Sequence, residues 1–314
     1  MTYSPAIVLI SVAPSAPYPG LYARGPAVTW ANDETKGVNV HTFSGLPLTR
    51  AQRIRSDLRE MLRFPTAMPS SIGTVNEVSR AMKAYGWLVS PASGNPRLHA
   101  KVLSFVTFKL IVLAGSVVNS YERWVASPML NHRRPRVALD DNHLTVQLPA
   151  TITNSLAIQK ALMRFYDGDE ISGILFITAS GYLDIARFRV WVDSLPEHEY
   201  IAGSNALANP VDGSEPMIFF SGFCHYFSRS SIRRVIAAKD FDHSVPNDES
   251  WTRWFLKKGI SWHQIGIVWN TATLEIGQCP LCLDSTKFVV RCTNKESRES
   301  EASFMQQLHH EHSA

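Results

Sequence analysis

The chain has 314 residues, of which 45% are hydrophobic and 18% are charged. This composition is too apolar for a disordered chain, and the length suffices to bury a full core without a metal or disulfide staple. The 31 Lys and Arg residues against 27 Asp and Glu give a formal net charge of +4, spread along the chain. Such a charge permits anionic ligands but lacks the concentrated basic face of a typical nucleic-acid footprint. We therefore expect a folded protein of one large α/β unit or about two domains.

The N-terminal part of the chain predicts two strands. Ala6 to Val12 is a continuous apolar run rich in β-branched residues, and prolines and Gly20 follow it, which indicates a buried strand ending in an ordered loop. Gly37 to Phe43 alternates between apolar and polar residues and predicts a second strand. No basic region precedes the first run, so we do not interpret it as a signal peptide, and we expect a cytoplasmic protein.

The next segment predicts helices and one ambiguous element. Thr49 opens a helical pattern that runs to Leu62, and Thr74 opens another that ends near Tyr85. Leu103 to Leu113 fits a buried strand or a helix, because periodicity does not separate the two. The longest apolar stretch, Leu103 to Val118, is interrupted by Lys109 and is shorter than the roughly 20 residues that span a bilayer. The basic residues of the first helix are interleaved with acids and predict a solvated face; they are Arg50, Arg53, Arg55 and Arg59.

From Asn142 onward, strand and helix patterns alternate with short loops. The predicted strands are Leu144–Leu148, Ile171–Thr178, Glu199–Ala202 and Met217–Phe220. The predicted helices are Asn154–Tyr166, Asp184–Asp193, Arg229–Ala238 and Glu249–Lys258, with a polar C-terminal helix from Ser300 to His312. This alternation favours an α/β fold with a mostly parallel central sheet, in which ligands bind at the carboxyl ends of the strands. We place one domain at residues 1–278 and a C-terminal tail with a helix at 279–314.

The four cysteines allow three interpretations. Cys279 and Cys282 form a Cys-Pro-Leu-Cys pair, and Cys292 follows ten residues later. A structural zinc site completed by His309, His310 or His312 is one interpretation, and a disulfide or redox pair is another. The spacing does not match a common zinc finger and there is no second such pair, which favours ordinary thiols for these residues and for Cys224.

Two segments offer groups that suit a ligand at the strand ends. After the strand ending at Thr178, the loop leaves the Ser180 hydroxyl and backbone amides available, with Asp184 expected as the cap of the following helix. In the segment Phe219 to Arg229, Gly222 allows close backbone approach, and Phe223 and Tyr226 are suited to stacking on a sugar or base. The alternative for the second segment is a turn flanked by core aromatics.

A third segment, Asp240 to Glu249, concentrates four carboxylates and a histidine before a helix. A carboxylate at a helix N-terminus stays ionised, which suits a base that removes a proton from an alcohol. The alternative is that Asp248 and Glu249 only cap the helix and complement its dipole.

Together these segments resemble a group of small bacterial and viral glycosyltransferases. The similar stretches are Phe176–Tyr182 ("RTN-S-S-Y"), Leu195-Pro196 with Tyr200–Gly203 ("LP…Y-x-G"), Ser221-Gly222 with Ser228-Arg229 ("SG-x-G-Y-x-LSRD"), Asp242–Ser244 with Asn247-Asp248 ("LDHS…DD-x-x-x-G"), and the opening Ile7–Ser11, Thr29-Trp30, Gly37-Val38 and Gly45. The resemblance extends from Ile7 to about Ile260, with little between Arg50 and Ser116. The arginine of the family's "R-x-TW" is missing, since Ala27 and Val28 precede Thr29.

The resemblance implies a GT-A-like glycosyltransferase with a Rossmann-type three-layer fold. A nucleotide-diphospho-sugar would be the donor, an alcohol, expected to be a glycan, would be the acceptor, and Asp248 would be the base of an inverting transfer. The implied donor-site residues are Ser11, Ala13, Thr29, Trp30, Lys160, Thr178, Ser180, Ser221, Gly222 and Arg291. Arg291 falls in a segment similar to "HYRCK", in which Val289 replaces the histidine. Solvent-exposed side chains are the alternatives for Lys160 and Arg291.

Many GT-A enzymes hold Mn²⁺ or Mg²⁺ with an Asp-x-Asp motif at the strand end that here carries Thr178 and Ser180. Asp167-Gly168-Asp169 fits the letters of the motif but precedes the strand, so we predict a turn at the opposite edge of the sheet. Metal dependence therefore stays open, and a metal-independent site would need Lys, Arg or helix N-termini at the diphosphate.

Three alternative functions remain at this stage. One is a catalytically degenerate glycosyltransferase-like binding protein. Another is a phage-type glycosyltransferase acting on modified DNA bases, in which the arginines at 50–59 and at 133–136 would follow phosphates. The last is an unrelated α/β enzyme.

Overall fold

The chain contains two compact units, one made of residues 1–47 and 130–314 and the other of residues 48–129. The computed structural model describes residues 4–14, 18–33, 37–49, 52, 122–196, 198–208, 217–243, 247–269, 287–292 and 298–312. The first unit contains every strand given below and every predicted site residue. The described part of the second unit includes a π-helical turn at Glu122–Ala126.

The second unit also retains the start of one predicted helix. Thr49 N donates to Gln52 Oε1 at 3.0 Å, and Gln52 N donates to Thr49 Oγ1 at 3.3 Å. This reciprocal pair is typical of a helix N-terminus. The rest of the helix predicted to Leu62, the helix Thr74–Tyr85 and the element Leu103–Leu113 lie outside the described residues.

The first unit is an α/β structure with eleven described strands. They are β1 Ala6–Ser11, β2 Val38–Leu46, β3 Val137–Asp140, β4 His143–Pro149, β5 Gly173–Thr178, β6 Gly181–Leu183, β7 Ile201–Ala208, β8 Met217–Ser228, β9 His263–Gln264, β10 Gly266–Trp269 and β11 Lys287–Arg291. The described helices are α1 Tyr18–Arg24, α2 Ser127–His132, α3 Ile152–Phe165, α4 Ile185–Asp193, α5 Arg229–Ala237, α6 Asn247–Lys258 and α7 Arg298–His312. Short 3-10 turns lie at Pro26–Val28 and Trp30–Asn32.

Eight strands form the central sheet in the order β3-β4-β2-β1-β5-β8-β7-β9. The neighbours β4, β2, β1 and β5 are parallel, while β8 is antiparallel to both β5 and β7, and β3 is antiparallel to β4. The sheet is therefore mixed but mostly parallel, and it is compatible with a Rossmann-like fold. The antiparallel position of β8 between β5 and β7 is not predicted by the sequence pattern.

The centre of the sheet is buried on both faces because β1 is apolar throughout. Ala6, Val8 and Ile10 belong to a core shared with α1, α4 and α7, whereas Ile7 and Leu9 belong to a core shared with α3, α5 and α6. Successive side chains of a strand point to opposite faces, so a continuous apolar run fits a strand covered on both sides. The result is a three-layer arrangement of helices, sheet and helices.

A second, three-stranded sheet has the order β10-β11-β6 and lies beyond the end of β5. β6 begins only three residues after β5 ends, and β11 pairs with it in antiparallel register, with Arg291 opposite Gly181. The C-terminal part of the chain therefore adds a strand and the helix α7 to the first unit, and the boundary at 278/279 stays a prediction.

Candidate functional site

The site lies where the order of the parallel strands reverses. Taken in chain order, β1, β2, β4 and β5 occupy the fourth, third, second and fifth positions across the eight-stranded sheet, so the reversal falls between β1 and β5. Open α/β sheets bind ligands outside the carboxyl ends of the strands at this point. Ser11 and Thr178 are register partners at these two ends, and Ala13 follows Ser11 in the loop.

The loop between β5 and β6 is held by hydrogen bonds from three separate segments. Thr178 Oγ1 lies 3.0 Å from Ser180 Oγ. The backbone amide of Cys292 donates to Ser180 O at 2.9 Å, and Trp30 Nε1 donates to Gly181 O at 3.1 Å. These bonds fix the Ser180 backbone, and they bring the end of β11 next to the point where the strand order reverses between β1 and β5.

An irregular part of β8 reaches the same edge. Gly203 of β7 pairs with His225 of β8, and Asn205 pairs with Phe220, so the register shifts between these two pairs. The β8 residues 221–224 therefore form a bulge, which we call the β8 bulge. β5 pairs with β8 only as far as Ile177, opposite Cys224, and the bulge continues past the end of β5. The guanidinium carbon of Arg291 lies 5.0 Å from the centroid of the Phe223 ring in the bulge. This geometry is a cation–π contact that holds the arginine beside the loop after β5.

The N-terminus of α6 lies against the β8 bulge. A Cβ atom placed on Gly222 would lie 3.3 Å from Asn247 Oδ1, so glycine at this position allows the helix to approach the bulge closely. Asp248 follows Asn247 in the first turn, and its Oδ1 accepts a hydrogen bond from Glu249 N at 2.9 Å. The carboxylate therefore has a charge partner in the helix N-terminus, as the sequence indicates.

The predicted residues at this edge differ in their exposure. The partly exposed ones, which we call the edge group, are Ser11, Ala13, Thr178, Ser180, Gly222, Asp248 and Arg291. Ser221 is buried, and its hydroxyl accepts from Phe223 N at 3.3 Å. A ligand at this edge would meet hydroxyls, backbone, one carboxylate and one guanidinium, while Ser221 supports the bulge from within.

Thr29 and Trp30 also act from beneath the site. Both residues are buried, and Thr29 Oγ1 donates to Gly25 O at 2.8 Å within its own turn. The indole N–H of Trp30 is used on Gly181 O. The Thr29 hydroxyl is thus used within its own turn, and the Trp30 indole holds the loop after β5. That these two residues contact the nucleotide stays a prediction, which their burial does not favour.

The solvent-exposed alternative for Lys160 is wrong, and the prediction that it faces a diphosphate stays a prediction that its burial does not favour. Its side chain is 2% exposed, and its Nζ donates to Ala238 O at 2.6 Å while lying 4.7 Å from the centroid of the Phe241 ring. Burial, with the like charge of Arg164, lowers the pKa of Lys160 from 10.5 to about 8. The ammonium binds the last carbonyls of α5 and is not part of the edge group.

The carboxylates before α6 have different partners. Asp240 binds Trp254, Lys257 and Lys258. Burial alone would raise the pKa of Asp240, but these hydrogen bonds hold it well below its usual range. Asp242 and Glu249 both pair with Arg253. Asp248 is the carboxylate that directly follows Asn247, whose side chain lies against Gly222.

The sequence does not predict two buried polar residues that hold the backbone of distant segments. Asn131 is buried and forms a two-point pair with the Phe241 backbone, donating to its carbonyl at 2.8 Å and accepting from its amide at 3.2 Å. Thr252 is buried in α6 and bonds both Phe220 and Asp248. Neither belongs to a recognisable motif, because each acts on backbone that is distant in sequence or hidden in helix register.

The donor set at the edge is a poor match for a divalent cation. Mg²⁺ and Mn²⁺ favour carboxylate oxygens, whereas the edge group offers neutral hydroxyls, one carboxylate and an arginine. Asp167-Gly168-Asp169 forms a turn before β5, and Asp167 lies 3.8 Å from Arg233, as predicted for the opposite edge. Within the described ranges, no group of three His, Cys, Asp or Glu side chains is arranged to hold a metal.

The cysteine interpretations are tested only in part. Cys224 and Cys292 are buried and are not joined in a disulfide, and burial raises the pKa of Cys224. His309 pairs with Asp33 at 3.7 Å. Cys279 and Cys282 lie outside the described residues.

No family model matches the chain, and no curated protein matches its sequence. Among the residues that the structure describes, no helix has both the length and the apolar character needed to cross a membrane.

Proposed function

We propose that the protein is a GT-A-like glycosyltransferase that moves a sugar from a nucleotide-diphospho-sugar to an alcohol acceptor, with a glycan as the acceptor class. The observation that carries the proposal is the edge group, because its residues come from five separate segments and lie at the edge of the sheet where the strand order reverses. These are largely the residues that the resemblance implies. Hydroxyls and backbone at strand ends suit a nucleotide, and a cation beside them suits a diphosphate.

Asp248 supports the chemical step of this proposal. Its carboxylate would take the proton of the acceptor hydroxyl as that oxygen attacks the anomeric carbon. The new carbon–oxygen bond forms as the bond to the diphosphate breaks, and the electron pair leaves with the diphosphate. Attack from the side opposite the leaving group gives inversion at the anomeric carbon.

Arg291 supports the departure of the diphosphate. Its backbone is held by β11 opposite Gly181 and its guanidinium by the Phe223 ring, so a fixed positive charge lies over the β8 bulge. A preorganised cation stabilises charge that develops on a leaving group. Because the donor set does not suit Mg²⁺ or Mn²⁺, we propose that transfer proceeds without a divalent cation.

The first test is a thermal-shift panel of UDP-, GDP- and dTDP-sugars, with a CMP-sugar as the donor that has only one phosphate. A donor at a hundredfold excess over its dissociation constant stabilises the folded state by about 2.7 kcal/mol. We expect one diphosphate class to raise the melting temperature equally in EDTA and in Mn²⁺. A shift that appears only with Mn²⁺ would refute metal independence, and no shift with any donor would remove the glycosyltransferase proposal.

The second test is Asp248→Asn. We expect donor binding to persist while transfer falls by about 100- to 10,000-fold, as for the loss of a general base. Glu249→Gln is the matched control, because that neighbouring carboxylate pairs with Arg253 and should be dispensable. If the unmodified protein binds a donor without transferring its sugar, the catalytically degenerate binding protein is favoured. The observation that supports this alternative is that the edge group has one carboxylate and not a pair.

A further inference from the structure

Thr252 connects two parts of the site with one hydroxyl. It lies in the second turn of α6 and is fully buried. Its Oγ1 accepts a hydrogen bond from Phe220 N at 2.9 Å and donates one to Asp248 O at 2.8 Å. Phe220 immediately precedes Ser221 and Gly222, so the hydroxyl joins the backbone of the β8 bulge to that of Asp248.

The link replaces a strand partner that β8 lacks at this point. β5 pairs with β8 only up to Cys224, so β8 residues before the bulge extend past the end of β5. A buried backbone amide without a partner is costly, and a side-chain oxygen is one of the few groups that can supply one here. Thr252 supplies it while bonding back to the carbonyl four residues earlier in its own helix.

We infer that Thr252 is a positioning residue that fixes Asp248 relative to Ser221 and Gly222; this inference rests on the proposed function. The base must lie within hydrogen-bond reach of the acceptor hydroxyl while the bulge holds the donor. A direct hydrogen-bonded bridge between the two keeps their separation constant. Apolar contacts between α6 and β8 have no preferred direction, so the hydroxyl adds a directional restraint that packing does not supply.

The test compares Thr252→Val, which keeps the shape and removes the hydroxyl, with Thr252→Ser, which keeps the hydroxyl. The full-length protein is assayed by release of nucleoside diphosphate from the UDP-, GDP- or dTDP-sugar that stabilises it, and the Kd of that donor is measured by calorimetry. We expect Thr252→Val to lower kcat by about 10- to 100-fold, as small displacements of a reacting group do. The donor Kd should change less than about threefold, and Thr252→Ser should restore kcat.

Ser231→Ala is the matched control. Ser231 is also fully buried, and its hydroxyl donates to Tyr200 O at 2.9 Å, but it lies in the first turn of α5, which follows the end of β8 away from the bulge. Its loss should destabilise the fold comparably and leave kcat unchanged. Equal losses of kcat in Ser231→Ala and Thr252→Val would show a general stability effect and overturn the positioning role.

A graded variant covers the case in which Thr252→Val does not fold. Thr252→Cys keeps a weak donor and acceptor, so its kcat should fall between those of the Ser and Val variants. A kcat for Thr252→Cys equal to that of Thr252→Ser would overturn the inference. If the wild type is active and Thr252→Val has the same kcat, the positioning role of Thr252 is overturned while the glycosyltransferase proposal stands. If the wild type binds no donor, both the positioning role and the glycosyltransferase proposal are removed.

Discussion

The edge group and the core that β1 shares with α3, α5 and α6, called here the core under α6, contain similar polar side chains but use them differently. In the core, Lys160 binds Ala238 O, and Trp251 Nε1 donates to Gln159 Oε1 at 3.0 Å. In the edge group, hydroxyl, carboxylate and guanidinium side chains stay partly exposed at the strand ends. Residue type alone therefore does not identify a ligand contact. The decisive property is whether the fold buries the polar group against its own backbone.

The largest expected effect is at the edge group. Arg291→Gln removes the fixed cation and should lower transfer by about 100- to 1,000-fold, as the loss of one preorganised charge donor does. Lys287→Gln is the control on the same strand, because it removes an equal charge from an exposed position at the other end of β11. Steady-state kinetics on both variants check this, and equal losses would point to net charge in place of a specific contact.

A large effect on stability is expected in the core under α6. Asn131→Ala leaves the amide and the carbonyl of Phe241 without their partner and should lower the free energy of unfolding by about 2–3 kcal/mol. The exposed Asn32→Ala should change it by about 0.5 kcal/mol or less. Urea denaturation monitored by tryptophan fluorescence measures both. A loss for Asn131→Ala as small as that for Asn32→Ala would contradict the two-point pair.

His225 should make the same core sensitive to acid. Its ring is fully buried, 5.2 Å from Phe176 and 5.4 Å from Phe220, and burial lowers its pKa to about 3, against a smaller opposing effect of the Ser221 backbone. The unfolded chain therefore binds a proton first, near pH 6.5, and stability falls between about pH 6.5 and 3 by up to about 1.4 kcal/mol per pH unit.

The variant His225→Phe should flatten this part of the stability curve. His198→Gln, which replaces an exposed histidine, should leave the curve unchanged. Denaturation midpoints measured at intervals from pH 7 to pH 4 give the comparison. If the stability of His225→Phe still falls toward acid pH as steeply as that of the wild type, groups other than His225 cause the fall.

The smallest expected effect is on donor binding in Lys160→Met. The substitution keeps an unbranched apolar stem and removes the ammonium that binds Ala238 O. We expect the donor Kd to change by less than about twofold, because the ammonium does not reach the edge group. A tenfold weaker Kd, measured by calorimetry in a folded variant, would return Lys160 to the diphosphate site.

Local patterns predict the parts of the fold that local forces decide. The continuous apolar runs of β1 and β5 and the Asp184 cap of α4, whose Oδ1 accepts from Arg187 N at 2.9 Å, are found where the sequence predicts them. β8 is predicted only up to Phe220, because Ser221 and Gly222 are typical of a turn. The strand in fact continues through the bulge, since pairing with β5 and β7 outweighs the local preference.

The candidate site is predicted less completely than the sheet. The rule that ligands bind at strand ends predicts the loop that contains Ser180, and the resemblance adds Ser11 and Thr178. The position of Lys160 depends on Ala238, 78 residues away, and Thr252 depends on a break in the pairing of β8. Such long-range backbone partners leave no local signal in the sequence.

The place of β11 in the sequence has a consequence for synthesis on the ribosome. Residues 6–228 contain β1, β2, β4, β5, β7 and β8, which are the main strands of the central sheet. Arg291 joins the loop after β5 only when residues 287–291 have emerged. Domains generally fold as the chain is made, so a nascent chain can assemble its sheet well before it acquires the guanidinium. An emerging polypeptide would then be folded at its centre but would still lack the cation that we propose for the diphosphate.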